Sequence, residues 1–331
     1  MTARLLVEAL RDPATVERLD AARWNALIAM ARAERLIGTL AARITDRALP
    51  GDVRPIVTDA LAEAEREKRQ ALWEADRARE ALAALNVPVV LLKGTAYAAA
   101  GLRAEEGRFI GDLDILVPRA DLDAVEAALI AAGWEWVKPD PYDDAYYRQW
   151  MHELPPMIHR TRDRMIDVHH TILPLTARQT PDAALLIADA VPLEDGLSIL
   201  SPEDRICHAA AHMLADGDLA GGLRNLWDIH CLFGELPDRA MLEARAARHG
   251  LLPHVRRAQR LADHLYGSGT ARLSAIDHLF IRRLLARDAW GRESRKLLRF
   301  AFFVRSHWLR MPPMMLARHL WTKWRKGHRP A

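Results

Sequence analysis

The chain has 331 residues, half of them apolar and 27% charged, and its 47 Lys and Arg against 44 Asp and Glu leave a formal net charge of +3. This composition excludes a disordered chain, and a charge so close to balance gives no reason by itself to expect nucleic-acid binding. Two cysteines, Cys207 and Cys231, exclude a disulfide framework and a zinc pattern.

The first 85 or so residues read as helices. Leu5, Leu6 and Leu10 share one face, as do Trp24, Leu27 and Ile28, and the breaks fall at Asp12-Pro13 and Pro50-Gly51-Asp52. A long amphipathic helix is predicted over 57–86, with a charged middle at 63–69 and apolar Leu61, Leu72, Trp73, Leu82 and Leu85. Asn86-Val87-Pro88 ends it, because a residue before proline is pushed out of the helical region.

An apolar strand follows at Val89-Val90-Leu91-Leu92, then a glycine turn at Lys93-Gly94-Thr95 and an Ala-rich helical stretch to 102. After a polar loop (Glu105-Glu106-Gly107), Arg108 leads into a second strand, Ile110-Gly111-Asp112-Leu113-Asp114-Ile115-Leu116-Val117, stopped by Pro118. A helix over 121–132 ends at Gly133, and 133–137 alternates like a third strand. Residues 139–147 read as an aromatic, acidic loop, where Tyr142, Tyr146 and Tyr147 cluster with Trp150. Met157-Ile158-His159 and Met165-Ile166-Asp167-Val168-His169 flank Thr161-Arg162-Asp163 as a hairpin. From about 176 the pattern is helical again, with a clear start at Ser201-Pro202-Glu203-Asp204. The expected organisation is α+β: an N-terminal helical region (1–85), a small mixed-sheet core (86–175) and a C-terminal helical region (176–331).

The chemistry lies in the core. Residues i and i+2 of a strand share a face, so Asp112 and Asp114 stand side by side with Cα atoms roughly 6.5–7 Å apart. Two acids in an apolar strand need compensation for repulsion and desolvation, and a divalent cation supplies it. Asp167 offers a third carboxylate on a later strand. Three such groups on one sheet face suit one or two Mg2+ (or Mn2+) ions, which prefer carboxylate and phosphate oxygens. The glycine turn would let backbone N–H groups and a helix N-terminus approach phosphate, with Lys93 and Arg108 neutralising it. The bland alternatives are an Asp167 salt bridge to Arg162 or Arg164, a structural role for Lys93 and Arg108, and an N-cap role for Thr95.

The pattern Leu92-Lys93-Gly94, Arg108, Gly111-Asp112-Leu113-Asp114, Gly133-Trp134 and Ile166-Asp167-Val168-His169 resembles the bacterial uncharacterised nucleotidyltransferase family, within the polymerase-β-like nucleotidyltransferase superfamily. Ser201-Pro202-Glu203, His208, His212 and Leu226-Trp227-Asp228 resemble its helical half. The resemblance spans roughly residues 55–235 and implies a nucleotidyltransferase core. By it, Gly94 and Thr95 contact the triphosphate of an NTP donor, near Lys93, Arg108 and Gly111. Asp112 and Asp114 bind metal, and Asp167 is the third acid, able to activate the acceptor hydroxyl. The family pattern usually has Gly or Ser after the glycine, where this chain has Thr95. The acceptor stays open: a protein hydroxyl, a sugar, a small molecule or an RNA end.

Two other readings stand beside it. The same fold could bind a nucleotide or a partner without turnover. The helical half could instead be a HEPN-like ribonuclease using Arg224 and His230. His169 is either a supporting residue beside the acids or a core histidine. His208 and His212, four apart on a helix face, have a spacing that could chelate a metal, but no Glu follows His208 in the metalloprotease arrangement, and the pair suits packing or an interdomain contact. The stretch 299–329 carries eight Lys and Arg and no acid, with Phe300, Phe302, Phe303, Trp308, Trp321 and Trp324. It suits a peripheral membrane or nucleic-acid contact, or a terminal helix with aromatics on the core. Glu8, Arg11 and Asp12 interrupt any apolar leader and no run approaches ~20 apolar residues, so the expected location is the cytoplasm.

Overall fold

A mixed seven-stranded sheet combines with helices that precede, connect and follow its strands, giving the expected α+β architecture. The computed structural model describes residues 3–138, 140–194, 196–312, 314, 316, 317 and 321, with the backbone alone at 142 and 143. Trp324, the tail beyond 321, Pro139 and the Tyr142 side chain lie outside that description.

Three helices, α1 (Arg4–Arg11), α2 (Ala21–Ala33) and α3 (Ile37–Ile44), precede the 30-residue α4 (Val53–Leu82). α4 starts directly after the Pro50-Gly51-Asp52 break. Its core face is a run of small residues (Ala60, Ala64, Ala71, Ala75, Ala78) closed by Leu82. Trp73, expected on the apolar face, is half exposed, with the Arg77 and Arg162 guanidiniums over its ring. Small side chains let α3, α5 and α6 approach the helix closely, so alanine, not leucine, marks the buried stripe.

The strands are β1 (Val90–Leu91), β2 (Asp112–Leu116), β3 (Trp134–Trp136), β4 (Met157–His159), β5 (Met165–His169), β6 (Val191–Pro192) and β7 (Ser198–Ile199), in the order β3-β4-β5-β2-β1-β7-β6. β2 runs parallel to β5 and β1 parallel to β7; the other neighbours are antiparallel. α5 (Lys93–Ala99) connects β1 toward β2, and α6 (Leu122–Ala131) connects β2 toward β3. The expected β4–β5 hairpin is present, with Asp163 at a left-handed φ of 54° in its turn.

Two expectations fail. The aromatic loop is a helix, α7 (Pro141–Trp150), begun by a proline at the first helical position, where its missing N–H costs nothing. The region past 176 is not purely helical: after α8 (Ala183–Ala188) the β6–β7 hairpin completes the sheet. Strands of two residues are too short to show a period of two.

The remaining helices are α9 (Pro202–Ala210), α10 (Gly222–Gly234), α11 (Arg239–Arg248), α12 (Leu252–Tyr266), α13 (Ala275–Leu284) and α14 (Lys296–Arg310). Ser201 caps α9 through the Asp204 N–H, as its sequence suggests. α9 runs on into a π-helical stretch, Ala211–Asp216. One hydrophobic core is continuous from Ala3 to Phe302. Glu34, just past the end of α2, ties the N-terminal helices to the C-terminal ones, accepting from Arg287 Nε at 2.6 Å and from the Leu223 N–H at 3.2 Å. No helix among the described residues is long and apolar enough to cross a membrane. α14 seats Phe302 edge-on against Phe280, ring centroids 5.0 Å apart, and Arg310 on Asp216 at 2.6 Å, while Phe300, Phe303, Trp308 and Trp321 stay exposed.

Candidate active site

Parallel pairing sets Asp114 of β2 directly beside Asp167 of β5. Asp112, two residues before Asp114, shares their face at the exposed end of β2. Carboxylate oxygens of all three lie within 4.8 Å of one another.

Asp114 is buried, and its Oδ1 accepts from Lys93 Nζ at 2.6 Å and from His169 Nε2 at 2.9 Å. Burial works against its charge, but the Lys93 ammonium and the His169 contact outweigh it and hold its pKa far below the usual carboxylate range. Burial likewise works against the Lys93 charge, and Asp114 overrides it, so the Lys93 pKa rises. Lys93 reaches this position from a left-handed backbone, φ 48°, that a side chain rarely adopts. Such a conformation costs of order 1 kcal/mol, which the ion pair offsets.

Asp167 is different. Arg162 pairs with Glu74 at 2.8 Å and Arg164 with Glu67 at 3.1 Å, so neither arginine that might have balanced it does so. Its Oδ1 is buried without a hydrogen-bond partner. Burial, then the charges of Asp114 and Glu153, push its pKa up to about 7. A carboxylate with a buried, unpartnered oxygen beside two others is an arrangement a hard cation would satisfy, and the all-oxygen donor set suits Mg2+ or Mn2+.

The glycine turn is corrected. α5 begins at Lys93, so Gly94 and Thr95 lie in the first turn of a seven-residue helix. Gly94 makes room for an arginine: a Cβ there would fall 1.9 Å from Arg108 Nη1. Thr95 is buried with its hydroxyl unpartnered. Arg108 is buried and donates from Nε and Nη2 to Asp228 Oδ2 of α10, at 3.2 and 3.1 Å. The Gly111 carbonyl accepts from Arg164 Nη1 at 3.2 Å.

Two groups near the acids carry no strand signal in the sequence. His152 and Glu153 lie on the stretch between α7 and β4, where Glu153 bridges to His169 of β5. Glu153 Oε2 is 3.4 Å from His169 Nδ1, so His169 stands between Asp114 and Glu153. Burial raises the Glu153 pKa and lowers that of His152. A His-Glu pair ahead of Pro155-Pro156 was the only hint of it. Arg224 and His230, the candidate ribonuclease pair, line different cavities, and the His230 ring packs on Trp227 and Tyr266. In the aromatic cluster, Tyr146 and Tyr147 pack edge-on, and the Tyr146 hydroxyl reaches Met311 Sδ at 4.0 Å.

Among known proteins, a family model described as "Uncharacterised nucleotidyltransferase" matches residues 20–267, most of the 331-residue chain. No curated protein matches it.

Proposed function

The chain belongs to the uncharacterised nucleotidyltransferase family and shares its enzymatic class, and on that premise we propose a Mg2+-dependent (or Mn2+-dependent) transfer of a nucleoside monophosphate from an NTP to an acceptor hydroxyl. The observation that carries the metal assignment is the cluster of Asp112, Asp114 and Asp167, whose oxygens converge within 4.8 Å while Asp167 Oδ1 has no partner.

These three aspartates would hold the metal, which, when bound, neutralises phosphate charge and aligns attacking and leaving oxygens. In the transfer, the acceptor oxygen bonds to the α-phosphorus, the bond from that phosphorus to the bridging oxygen breaks, and pyrophosphate leaves. The hydroxyl proton needs an acceptor. Asp167, the third carboxylate of the cluster, is placed to take it. Lys93 keeps Asp114 ionised and in place, and His169 fixes the same oxygen from the other side. Rate enhancement comes from positioning and charge complementarity.

The test mixes the purified chain with α-labelled NTPs, Mg2+ or Mn2+ and cell extract. Label should transfer to an acceptor, and Asp112→Ala combined with Asp114→Ala should abolish the transfer. Label transfer that survives both substitutions sinks the assignment.

A further inference from the structure

Lys93 belongs to a second feature as well: a cavity of about 30 Å³ walled by α5, α9, the π-helical stretch and α10. At about 10–15 Å³ per water position, that is room for roughly two waters or one tetrahedral oxyanion. Its walls carry the cations Lys93, Arg108 and Arg224 and the imidazoles of His208 and His212; among the described residues the carboxylate facing it is Asp228.

The charges there do not cancel. Lys93 is committed to Asp114. Arg108 holds Asp228 with two hydrogen bonds. Arg224 reaches the same carboxylate only at 4.0 Å, and its hydrogen bond to Asn225 Oδ1 is long, at 3.4 Å. Two guanidiniums therefore share one carboxylate, and the Arg224 side chain is only 19% exposed. A desolvated cation without its own counter-ion is costly unless an anion completes it. Burial, and then Arg108, push the Arg224 pKa down to about 10. Burial, helped by Lys93, holds His208 and His212 neutral, so each offers one N–H donor. His212 lies on the π-helical stretch, a distortion that often marks functional positions.

We infer that this cavity is an oxyanion subsite for the terminal phosphate of the donor triphosphate, with Arg224 as counter-ion and His208 and His212 as hydrogen-bond donors. The inference rests on the nucleotidyl-transfer reading, and it assigns to the helical half the far end of the group that leaves as pyrophosphate. Lys93 is the residue common to both parts of the site.

Calorimetric titration of the full chain with inorganic pyrophosphate, in buffer with EDTA, tests it. The wild-type chain should bind, Arg224→Met should bind at least tenfold more weakly, and Asp112→Asn should bind no more weakly than wild type. In phosphate-free buffer Arg224→Met should melt at or above the wild-type temperature, because a surplus buried cation is gone; pyrophosphate should raise only the wild-type melting temperature. Arg224→Gln replaces Arg224→Met if the latter does not fold. Equal pyrophosphate binding by wild type and the Arg224 variant overturns the subsite. Inorganic phosphate binding as tightly as pyrophosphate also overturns it, since the site would then serve free phosphate. The parent reading fails separately: Arg224-dependent pyrophosphate binding without label transfer supports the subsite and removes the transfer. Label transfer with an unchanged KM for NTP in Arg224→Met does the reverse.

Discussion

Asp204 and Asp277 in the C-terminal helices are fully buried and Asp167 in the sheet has one carboxylate oxygen shielded from water, yet they are treated in opposite ways. Asp204 is fully buried and accepts from Arg245 Nε at 2.7 Å and His249 Nε2 at 3.0 Å, with Arg245 Nη2 on its second oxygen. Asp277 accepts from Arg257 and Arg260 at 3.0 and 2.9 Å and closes a capping box with Ser274. Despite burial, these partners hold both pKa values below the usual range. Asp167 has an orphaned oxygen and a pKa pushed up to about 7. Asp204 and Asp277 are matched by cations on the same chain. Asp167, left short, points to a partner from outside the chain.

That contrast is open to direct attack. The largest effect should come from Asp204→Ala, which strands Arg245 and His249 and should cost about 3–5 kcal/mol in denaturant unfolding. Because the folded pKa of Asp204 is depressed, its contribution is present above the unfolded carboxylate range and is lost as pH falls through the folded value. A loss below about 0.5 kcal/mol would erase the distinction.

Asp167→Asn should move the other way. In metal-free buffer at pH 8 it should raise stability by about 2 kcal/mol, the cost of a buried group without partners. The folded pKa of Asp167 is raised, so its stabilising protonated form is fully present below the unfolded value and is lost as pH rises through about 7. The metal-free wild-type chain should therefore lose melting temperature between pH 5 and pH 8 relative to Asp167→Asn. Adding Mg2+ at pH 8 should restore wild type and leave Asp167→Asn unmoved; an equal response in both would remove Asp167 from the metal site. The smallest effect belongs to Thr95→Val. Replacing an unpartnered buried hydroxyl by an isostere should be neutral or stabilising by about 1 kcal/mol, while a rise in the KM for NTP would show that the hydroxyl is used on substrate.

What the sequence made legible here is local. The side-by-side placement of Asp112 and Asp114, and of Asp167 with His169, follows from the period of two along a strand, and the hairpin follows from Thr161-Arg162-Asp163. The α7 helix was hidden because its start depends on Pro141 at the first position and its pattern is weakly amphipathic. β6 and β7 were hidden by their two-residue length. Arg108 meets Asp228 across 120 positions, and Glu153 meets His169 through an isolated bridge; neither has a sequence period to read. Gly94 shows the same gap. A glycine before a helix reads as a turn, but its reason is the guanidinium that crosses it.

The parallel return of β7 onto β1 has a practical consequence for anyone shortening this protein. A fragment cut at 175 would keep all three aspartates, yet β1, with a fully buried Val90, would become a bare sheet edge. Open, apolar edges recruit strands from other molecules, so that fragment should precipitate rather than report on catalysis. The shortest soluble piece must reach past Ile199, and one that retains Arg108's carboxylate must run through α10.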